Sequence, residues 1–258
     1  MKMSLAWIEA GFVLSMLLSG LAIGYVVFKG KRNALSINFV LMHLLLLVWS
    51  TGDFLRLFLT DYSIKWLVVR FEYAVICFVG LCWLLLCLNY VDSRFKTPKN
   101  IAWLCSLPLF CFLTVLTNDY HHLFLLEHDR NFNQFGPFFY IHAFGSYLYC
   151  AFGTGIILNY ALKEMRHLRP QAVLMIGAAV TPLAVNILTI FKVINVNQFD
   201  FTPLSFNVSS LILLIAVFKY KLLDIRPVAL RKIMDHLKEA IVVTDNFGRI
   251  VEYNQPFL

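Results

Sequence analysis

Ionisable side chains are rare in the long apolar stretches of this sequence, and the few that occur could bind a ligand or one another. Asp53 and Arg56 lie near the end of one stretch, Glu72 lies near the start of the next, and His142 and Asn186 lie inside two later stretches. In an apolar environment such groups face a protein interior, a partner or water. Two interpretations remain open. Either the charged side chains reach the surface or pair, as Asp53 and Arg56 could at i,i+3, or these residues line a pocket for a small ligand.

Other chemistry is not indicated. The sequence contains no nucleotide-binding loop, no HExxH pair and no nucleophile elbow, so we predict no catalytic residues in this chain. All six cysteines fall within apolar stretches, where they resemble small buried hydrophobic residues rather than disulfide partners. His121, His122 and His128 lie close together with Glu127 and Asp129, but their spacing matches no specific metal site. We therefore expect neither a metal nor a cofactor.

The elements that position these residues are seven apolar segments. The chain is 60% hydrophobic, well above the roughly 45–50% of a soluble domain, and a helix across a bilayer needs about 20 apolar residues. The sequence therefore predicts an all-α membrane protein, a seven-transmembrane helix bundle. The predicted spans are Leu5–Phe28, Ala34–Leu59, Trp66–Tyr90, Ile101–Thr117, Phe138–Leu162, Ala172–Val193 and Pro203–Phe218.

The connections between these segments alternate between basic and nearly free of Lys and Arg. Cytoplasmic loops collect basic residues, so this pattern predicts an extracytoplasmic N-terminus and a cytoplasmic C-terminus, consistent with an odd number of spans. The net charge of +7 is then explained by membrane edges and does not indicate a nucleic-acid partner. The basic residues on the predicted cytoplasmic side are Lys29, Lys31, Arg32, Arg94, Lys96, Lys99, Lys163, Arg166, Arg169, Lys219, Lys221, Arg226, Arg231 and Lys232.

The segment after the last span changes character. Leu223, Leu230 and Leu237 are seven residues apart with Ile233 between them, which predicts a parallel two-stranded linker that relays a signal within a homodimer. A helix lying on the membrane surface is the alternative. Two β-prone runs then flank a turn within residues 241–254, which is typical of a hairpin. We thus expect a membrane domain over residues 1–218, a cytoplasmic linker helix over 219–240, and the start of a further domain over 241–258 that continues past the last residue.

A set of short stretches follows a recognisable order and spacing along nearly the whole chain. The stretches are Arg70–Tyr73 through Trp83 to Asn89–Tyr90, Leu116–Asn118 with His121–Phe124, Gly177 to Asn186 with Pro182, Phe201–Leu204, Leu222–Ala229, Val243–Asp245, Gly248–Ile250 and Asn254. No single motif is decisive, but together they resemble one family, the N-terminal seven-helix region of bacterial sensor histidine kinases, and the stretches from Leu222 onward resemble its junction into a PAS domain.

The resemblance implies a signal-input region in a bacterial plasma membrane, which senses a small molecule or peptide and controls a kinase domain beyond residue 258. That absent domain would use ATP and Mg²⁺ and phosphorylate a response regulator, so any enzymatic activity belongs to the longer protein. Glu72, Asn118 and His122 are the matching polar positions, and we expect them to contribute to ligand binding. Two alternatives remain: the input region of a membrane diguanylate cyclase, and a small-solute transporter, which would be expected to show repeated halves.

Overall fold

The computed structural model describes residues 5–30, 33–126, 134–163, 169–190, 202–223, 237–244, 248 and 250–257. Helices dominate these ranges, and a short pair of strands follows them. The helices are α1 (Leu5–Lys29), α2 (Ala34–Phe58), α3 (Tyr62–Ile76), α4 (Val79–Tyr90), α5 (Pro98–Leu116), α6 (Asn118–His121), α7 (Pro137–Lys163), α8 (Arg169–Ile190) and α9 (Thr202–Tyr220). The strands are β1 (Val242–Thr244) and β2 (Ile250–Tyr253), followed by a 3-10 turn at Gln255–Phe257.

Six helical segments of the described chain are long and apolar enough to cross a membrane. They correspond to the first six predicted spans, with α3 and α4 counted together as Tyr62–Tyr90. The seventh predicted span falls on α9, whose apolar part, Leu204–Tyr220, is shorter. Large apolar side chains such as Trp7, Phe28 and Trp103 are exposed on the outside of the bundle, where lipid rather than water would cover them. The chain is therefore a multi-pass membrane protein.

Five helices form a closed ring. In ring order α2, α4, α7, α8 and α9 each pack against the next, and α9 returns to α2, while α1 packs against both α2 and α9. Helix α3 packs against α2 and α5, and α5 also packs against α7, so α5 lies outside the ring. We refer to the end of the bundle that carries α6 as the Asp119 end, and to the opposite end, where α9 finishes, as the Tyr220 end.

Helix boundaries follow local hydrogen bonding. The side chains of Asn33, Asp61 and Thr97 accept hydrogen bonds from backbone N–H groups in the first turns of α2, α3 and α5, which satisfies donors that a helix start leaves free. The third predicted span is divided after Ile76, before Gly80. At Gly80 a side chain would meet the Cα atom of Ser146 at 3.0 Å, so the missing Cβ lets α4 approach α7 closely.

Two prolines inside helices each free a carbonyl that a neighbouring helix uses. Proline has no N–H, so Pro182 cannot bond the carbonyl of Ala178 four residues earlier. The hydroxyl of Ser209 on α9 donates to that carbonyl at 2.5 Å. In the same way Pro108 leaves the carbonyl of Leu104 free, and the Tyr149 hydroxyl on α7 donates to it at 2.7 Å. Both prolines therefore create a link between helices where lipid offers no hydrogen bonds.

The two β-prone runs near the C-terminus pair as antiparallel strands. Val242 lies opposite Tyr253 and Val243 opposite Glu252, with an irregularity before Thr244. The Asn254 side chain closes the open end, because it accepts a hydrogen bond from the Ile241 N–H at 2.7 Å and donates to the Glu239 carbonyl at 2.6 Å. That these strands begin a PAS domain stays a prediction.

Candidate ligand-binding cavity

A cavity of about 690 Å³ lies in the middle of the ring. Its wall comes from α2, α3, α4, α7, α8 and α9, and it reaches the Asp119 end, where Leu126, Gln134 and Phe135 contribute. This volume is within the range of pockets that bind small molecules, roughly 300–1,000 Å³. The cavity is therefore the candidate site of the bundle.

The wall is apolar and aromatic. Trp49, Tyr73, Trp83, Phe139 and Phe206 all line it, and the Trp49 and Phe206 rings meet edge to face with their centroids 5.6 Å apart. Among the described residues that line the cavity there is no Asp, Glu, Lys or Arg. The polar groups it does carry are hydroxyls, amides, one imidazole, two indole N–H groups and one thiol, which can exchange hydrogen bonds but offer no fixed charge to a ligand.

One polar network crosses the wall between three helices. The Tyr147 hydroxyl on α7 donates to the side-chain oxygen of Asn186 on α8 at 2.5 Å, and the Asn186 amide donates to the Thr202 hydroxyl on α9 at 3.0 Å. All three residues line the cavity. A ligand that bonds Asn186 would therefore act directly on the contact between α8 and α9.

Two of the predicted ligand-binding residues line the cavity. Asn186 is the centre of the network just described, and His142 faces the cavity from α7. The His142 imidazole lies 3.4 Å from the Ser146 hydroxyl, and its ring packs near those of Phe124 and Phe139. Whether these two residues bind a ligand stays a prediction, but their positions are compatible with it.

The predicted charged residues lie elsewhere, in a cluster between α2 and α3. Arg56 pairs with Asp53, and its Nε lies 3.3 Å from a Glu72 carboxylate oxygen. Asp53 and Glu72 are 6% and 2% exposed. Gly52 belongs to the same packing, because a Cβ there would overlap the Glu72 carboxylate. We call Asp53, Arg56 and Glu72 the charged cluster. It is outside the set of described residues that line the cavity, and the pairing of Asp53 with Arg56 is the one that the sequence suggested.

Asn118 and His122 organise the loop at the Asp119 end. The Asn118 side chain accepts hydrogen bonds from the N–H groups of Phe124 and Leu125, both at 3.0 Å, and donates to the Leu125 carbonyl at 2.9 Å. His122 ends α6 in the left-handed backbone conformation, with φ 50°. Both residues thus shape the chain that carries Leu126 into the cavity wall. Their contact with a ligand stays a prediction.

A second ion pair holds this loop to α3. Arg70 pairs with Asp119 and also donates to the Leu116 carbonyl at 2.9 Å, while the Trp66 indole N–H donates to Asp119 at 3.1 Å. Within the described ranges no three potential metal ligands come together. His128, Glu127 and Asp129 of the histidine-rich connection lie outside those ranges.

At the Tyr220 end, hydrogen bonds fix the exit of α9. The Tyr90 hydroxyl donates to Gln171 at 2.6 Å, the Gln171 amide donates to the Tyr220 carbonyl at 2.5 Å, and Asn33 donates to the Leu223 carbonyl at 3.3 Å. The Leu223 side chain is buried in the apolar cluster of the bundle. This predicted relay residue therefore packs against the membrane domain.

The other predicted relay residues are not brought together with Leu223 in the described chain. Leu237 is exposed before β1, and Leu230 and Ile233 lie outside the described residues. The two-stranded linker stays a prediction.

Several residues of the cavity wall were not predicted. Trp49 and Ser209 carry no signal that separates them from ordinary membrane-helix residues. Trp83 and Thr202 stand out only as members of the stretches that carry the family resemblance. Only Pro182 offered a hint, since a proline inside a span implies a carbonyl that needs another donor.

Comparison with known proteins assigns the family. No curated protein and no solved structure gives a significant match to the chain. A protein-family model described as the N-terminal 7TM region of histidine kinase matches residues 12–227. The match includes every helix from α2 to α9, the cavity, the charged cluster and the exit of α9. It covers most of the chain and agrees with the apolar helical bundle, so this chain belongs to the family of N-terminal seven-transmembrane regions of histidine kinases.

Proposed function

We propose that this bundle is the ligand-sensing input of a sensor histidine kinase. A small molecule binds in the central cavity, and α9 transmits the result to the C-terminal segment. One observation carries the proposal: α9 forms part of the cavity wall and is also the helix through which the chain leaves the bundle. A ligand in the cavity therefore touches the element that leads to the output.

The coupling rests on the way α9 is held. Near the Asp119 end Thr202 is bonded to Asn186, half-way along the bundle Ser209 is bonded to Ala178, and at the Tyr220 end Gln171 holds Tyr220. A ligand that bonds Asn186 or displaces Phe206 favours one packing of α9 over another. It can shift that balance only by its difference in affinity for the two packings.

The proposal includes the organisation that the sequence predicts. The N-terminus is extracytoplasmic, the Tyr220 end faces the cytoplasm of a bacterial cell, and residues 1–218, 219–240 and 241–258 are the membrane domain, linker helix and start of a PAS domain. The linker forms a homodimer through Leu223, Leu230, Ile233 and Leu237. ATP, Mg²⁺ and the response regulator act at a kinase domain that follows. Support comes from the basic connections, which favour this orientation.

The sensing role is tested with two neighbouring residues of α8. Ala179 lines the cavity, whereas Val180 is 50% exposed on the outside of the bundle. In the full-length kinase, reconstituted in lipid vesicles, we expect Ala179→Trp to change the rate of autophosphorylation by about threefold or more, because the indole occupies the cavity and displaces α9. Val180→Trp adds the same side chain on the lipid side and serves as the matched control. Equal rates in both variants and the wild type, with both variants correctly folded, would contradict the proposal.

Orientation is tested separately. Reporter fusions at residue 1 and after residue 223 are expected to report opposite sides of the membrane, with the second in the cytoplasm. The same compartment for both fusions would exclude the proposed route of the signal.

A further inference from the structure

We infer that the ligand of the central cavity is an uncharged molecule with an aromatic or aliphatic body and one neutral hydrogen-bonding group that reaches Asn186. This inference rests on the proposed function, because it takes the cavity as the binding site. It adds the chemical class of the ligand, and it replaces the expectation that carboxylates at Asp53 and Glu72 would recognise it.

The first step is the absence of charge. In the part of the chain that the structure describes, the cavity wall contains no ionised carboxylate, ammonium or guanidinium. Within the charged cluster, Arg56 forms ion pairs with Asp53 and Glu72. Arg70 forms an ion pair with Asp119. A charged ligand would lose its hydration on entering the cavity without gaining a counter-ion from the described wall, which is strongly unfavourable.

The second step is the shape and polarity of the wall. Trp49, Trp83 and Phe206 present ring surfaces, and the two rings of Trp49 and Phe206 already pack edge to face. Aromatic walls of this kind bind flat or apolar bodies through buried area and ring contacts. A cavity of about 690 Å³ accommodates such a body together with a short polar extension.

The third step is the hydrogen-bonding capacity of Asn186. A primary amide has two N–H donors and an oxygen with two acceptor sites. Asn186 uses one donor toward Thr202 and one acceptor site toward Tyr147. No described residue bonds the second N–H or the second acceptor site. They match a ligand group that both accepts and donates, such as an amide, a lactam or an alcohol.

The experiment uses a matched set of probes on one ring: 3-methylindole, indole-3-acetamide, indole-3-acetate and tryptamine. Their binding to the chain in lipid nanodiscs is measured by thermal stabilisation and by saturation-transfer NMR. We expect indole-3-acetamide to bind about tenfold or more tightly than either charged analogue. Equal or tighter binding of the acetate or of tryptamine would overturn the inference, as would the absence of binding by both neutral probes at about 1 mM.

Two variants assign the contacts. Asn186→Leu keeps the approximate side-chain size but removes both hydrogen-bonding groups. It should weaken the binding of indole-3-acetamide about tenfold and leave the binding of 3-methylindole nearly unchanged. Glu72→Gln removes a charge outside the wall and should leave the affinity of every probe unchanged. If Glu72→Gln selectively weakens the binding of tryptamine while Asn186→Leu leaves the binding of indole-3-acetamide unchanged, the charged cluster recognises the ligand and the inference is wrong.

The inference and the proposed function fail in different ways. Suppose that indole-3-acetamide binds through Asn186, but neither its binding nor Ala179→Trp changes the rate of autophosphorylation of the full-length kinase. The sensing role is then wrong, whereas the ligand class is supported. If a charged probe binds and changes autophosphorylation, the sensing role stands and the ligand class fails.

Discussion

The charged cluster and the central cavity both hold polar side chains between membrane helices, but they are built in opposite ways. In the charged cluster, Arg56 lies between two carboxylates that are almost fully buried, and Gly52 provides the room for Glu72. In the cavity, the described wall has no charged side chain and Asn186 retains hydrogen-bonding groups for a further partner. The first region is closed, and the second is open to a ligand.

This difference shows that charged and neutral polar residues have different roles between membrane helices. An ionised group in lipid is so unfavourable that it must be paired within the protein, and once paired it has little left to offer a ligand. A neutral amide or hydroxyl is tolerated with part of its capacity unused. Charge within the helices therefore indicates where the bundle is fixed, and neutral polar groups beside a cavity indicate where it can respond.

The largest expected effect comes from removing Arg56. In Arg56→Met the carboxylates of Asp53 and Glu72 lose their shared partner while they remain buried, and we expect a loss of about 3–5 kcal/mol of folding free energy. The measurement is unfolding of the purified chain in detergent, followed by helical circular dichroism.

Arg70→Met provides the control for this variant. Arg70 pairs with Asp119, which is 51% exposed, so the control should lose only about 1 kcal/mol. Equal losses in the two variants would mean that the charged cluster is no more buried in the membrane protein than a surface ion pair.

An intermediate effect is expected at Gly52. In Gly52→Ala the added methyl group overlaps the Glu72 carboxylate, and overpacking of this kind costs about 1–3 kcal/mol. Gly155→Ala is the matched control, because a Cβ at Gly155 meets nothing within 4 Å and alanine has the better helix propensity. The midpoint temperature of thermal unfolding should fall for Gly52→Ala and rise for Gly155→Ala. If the Gly52→Ala protein is as stable as the control, the Glu72 side chain can move away from residue 52 without a loss of stability.

The smallest effect is expected in the cavity wall, at the bond between Ser209 and Ala178. Ser209→Ala removes the donor to a carbonyl that Pro182 leaves free, and hydrogen bonds between membrane helices contribute about 0.6 kcal/mol on average. In a Pro182→Ala background the main-chain N–H of residue 182 can bond that carbonyl instead, so Ser209→Ala should then have almost no effect. A double-mutant cycle by unfolding measures this coupling. Additive losses would show that the hydroxyl does not substitute for the missing N–H.

The parts of the fold that depend on local sequence could be predicted. Each of the first six spans and the two strands follow from runs of apolar or β-prone residues, which need no knowledge of the rest of the chain. The division between α3 and α4 could not, because Cys77 and Phe78 are ordinary helix residues and the close approach to Ser146 at Gly80 is a tertiary contact.

The candidate site was predictable only where a residue is unusual for a membrane helix. Asn186 and His142 stand out in apolar spans, and both line the cavity. Asp53 and Glu72 stand out even more, yet they lie in the charged cluster, because only the packing of α3 on α2 brings Glu72 to Arg56. Trp49 and Phe206 are typical membrane residues, so periodicity cannot tell a ring that faces a cavity from one that faces lipid.

The hydrogen bonds at the Tyr220 end limit the kind of motion that α9 can pass on. Gln171 and Asn33 bond the backbone carbonyls of Tyr220 and Leu223. If the proposed ligand releases the bond between Asn186 and Thr202, α9 can swing about this exit as a lever, whereas a movement along its own axis would break both exit bonds. With 19 residues at 1.5 Å each, its arm is about 28 Å long, and a sideways step of about 2 Å at Thr202 swings it by about 4°. The chain beyond Leu223 would then receive a change of direction rather than a displacement along the axis of α9.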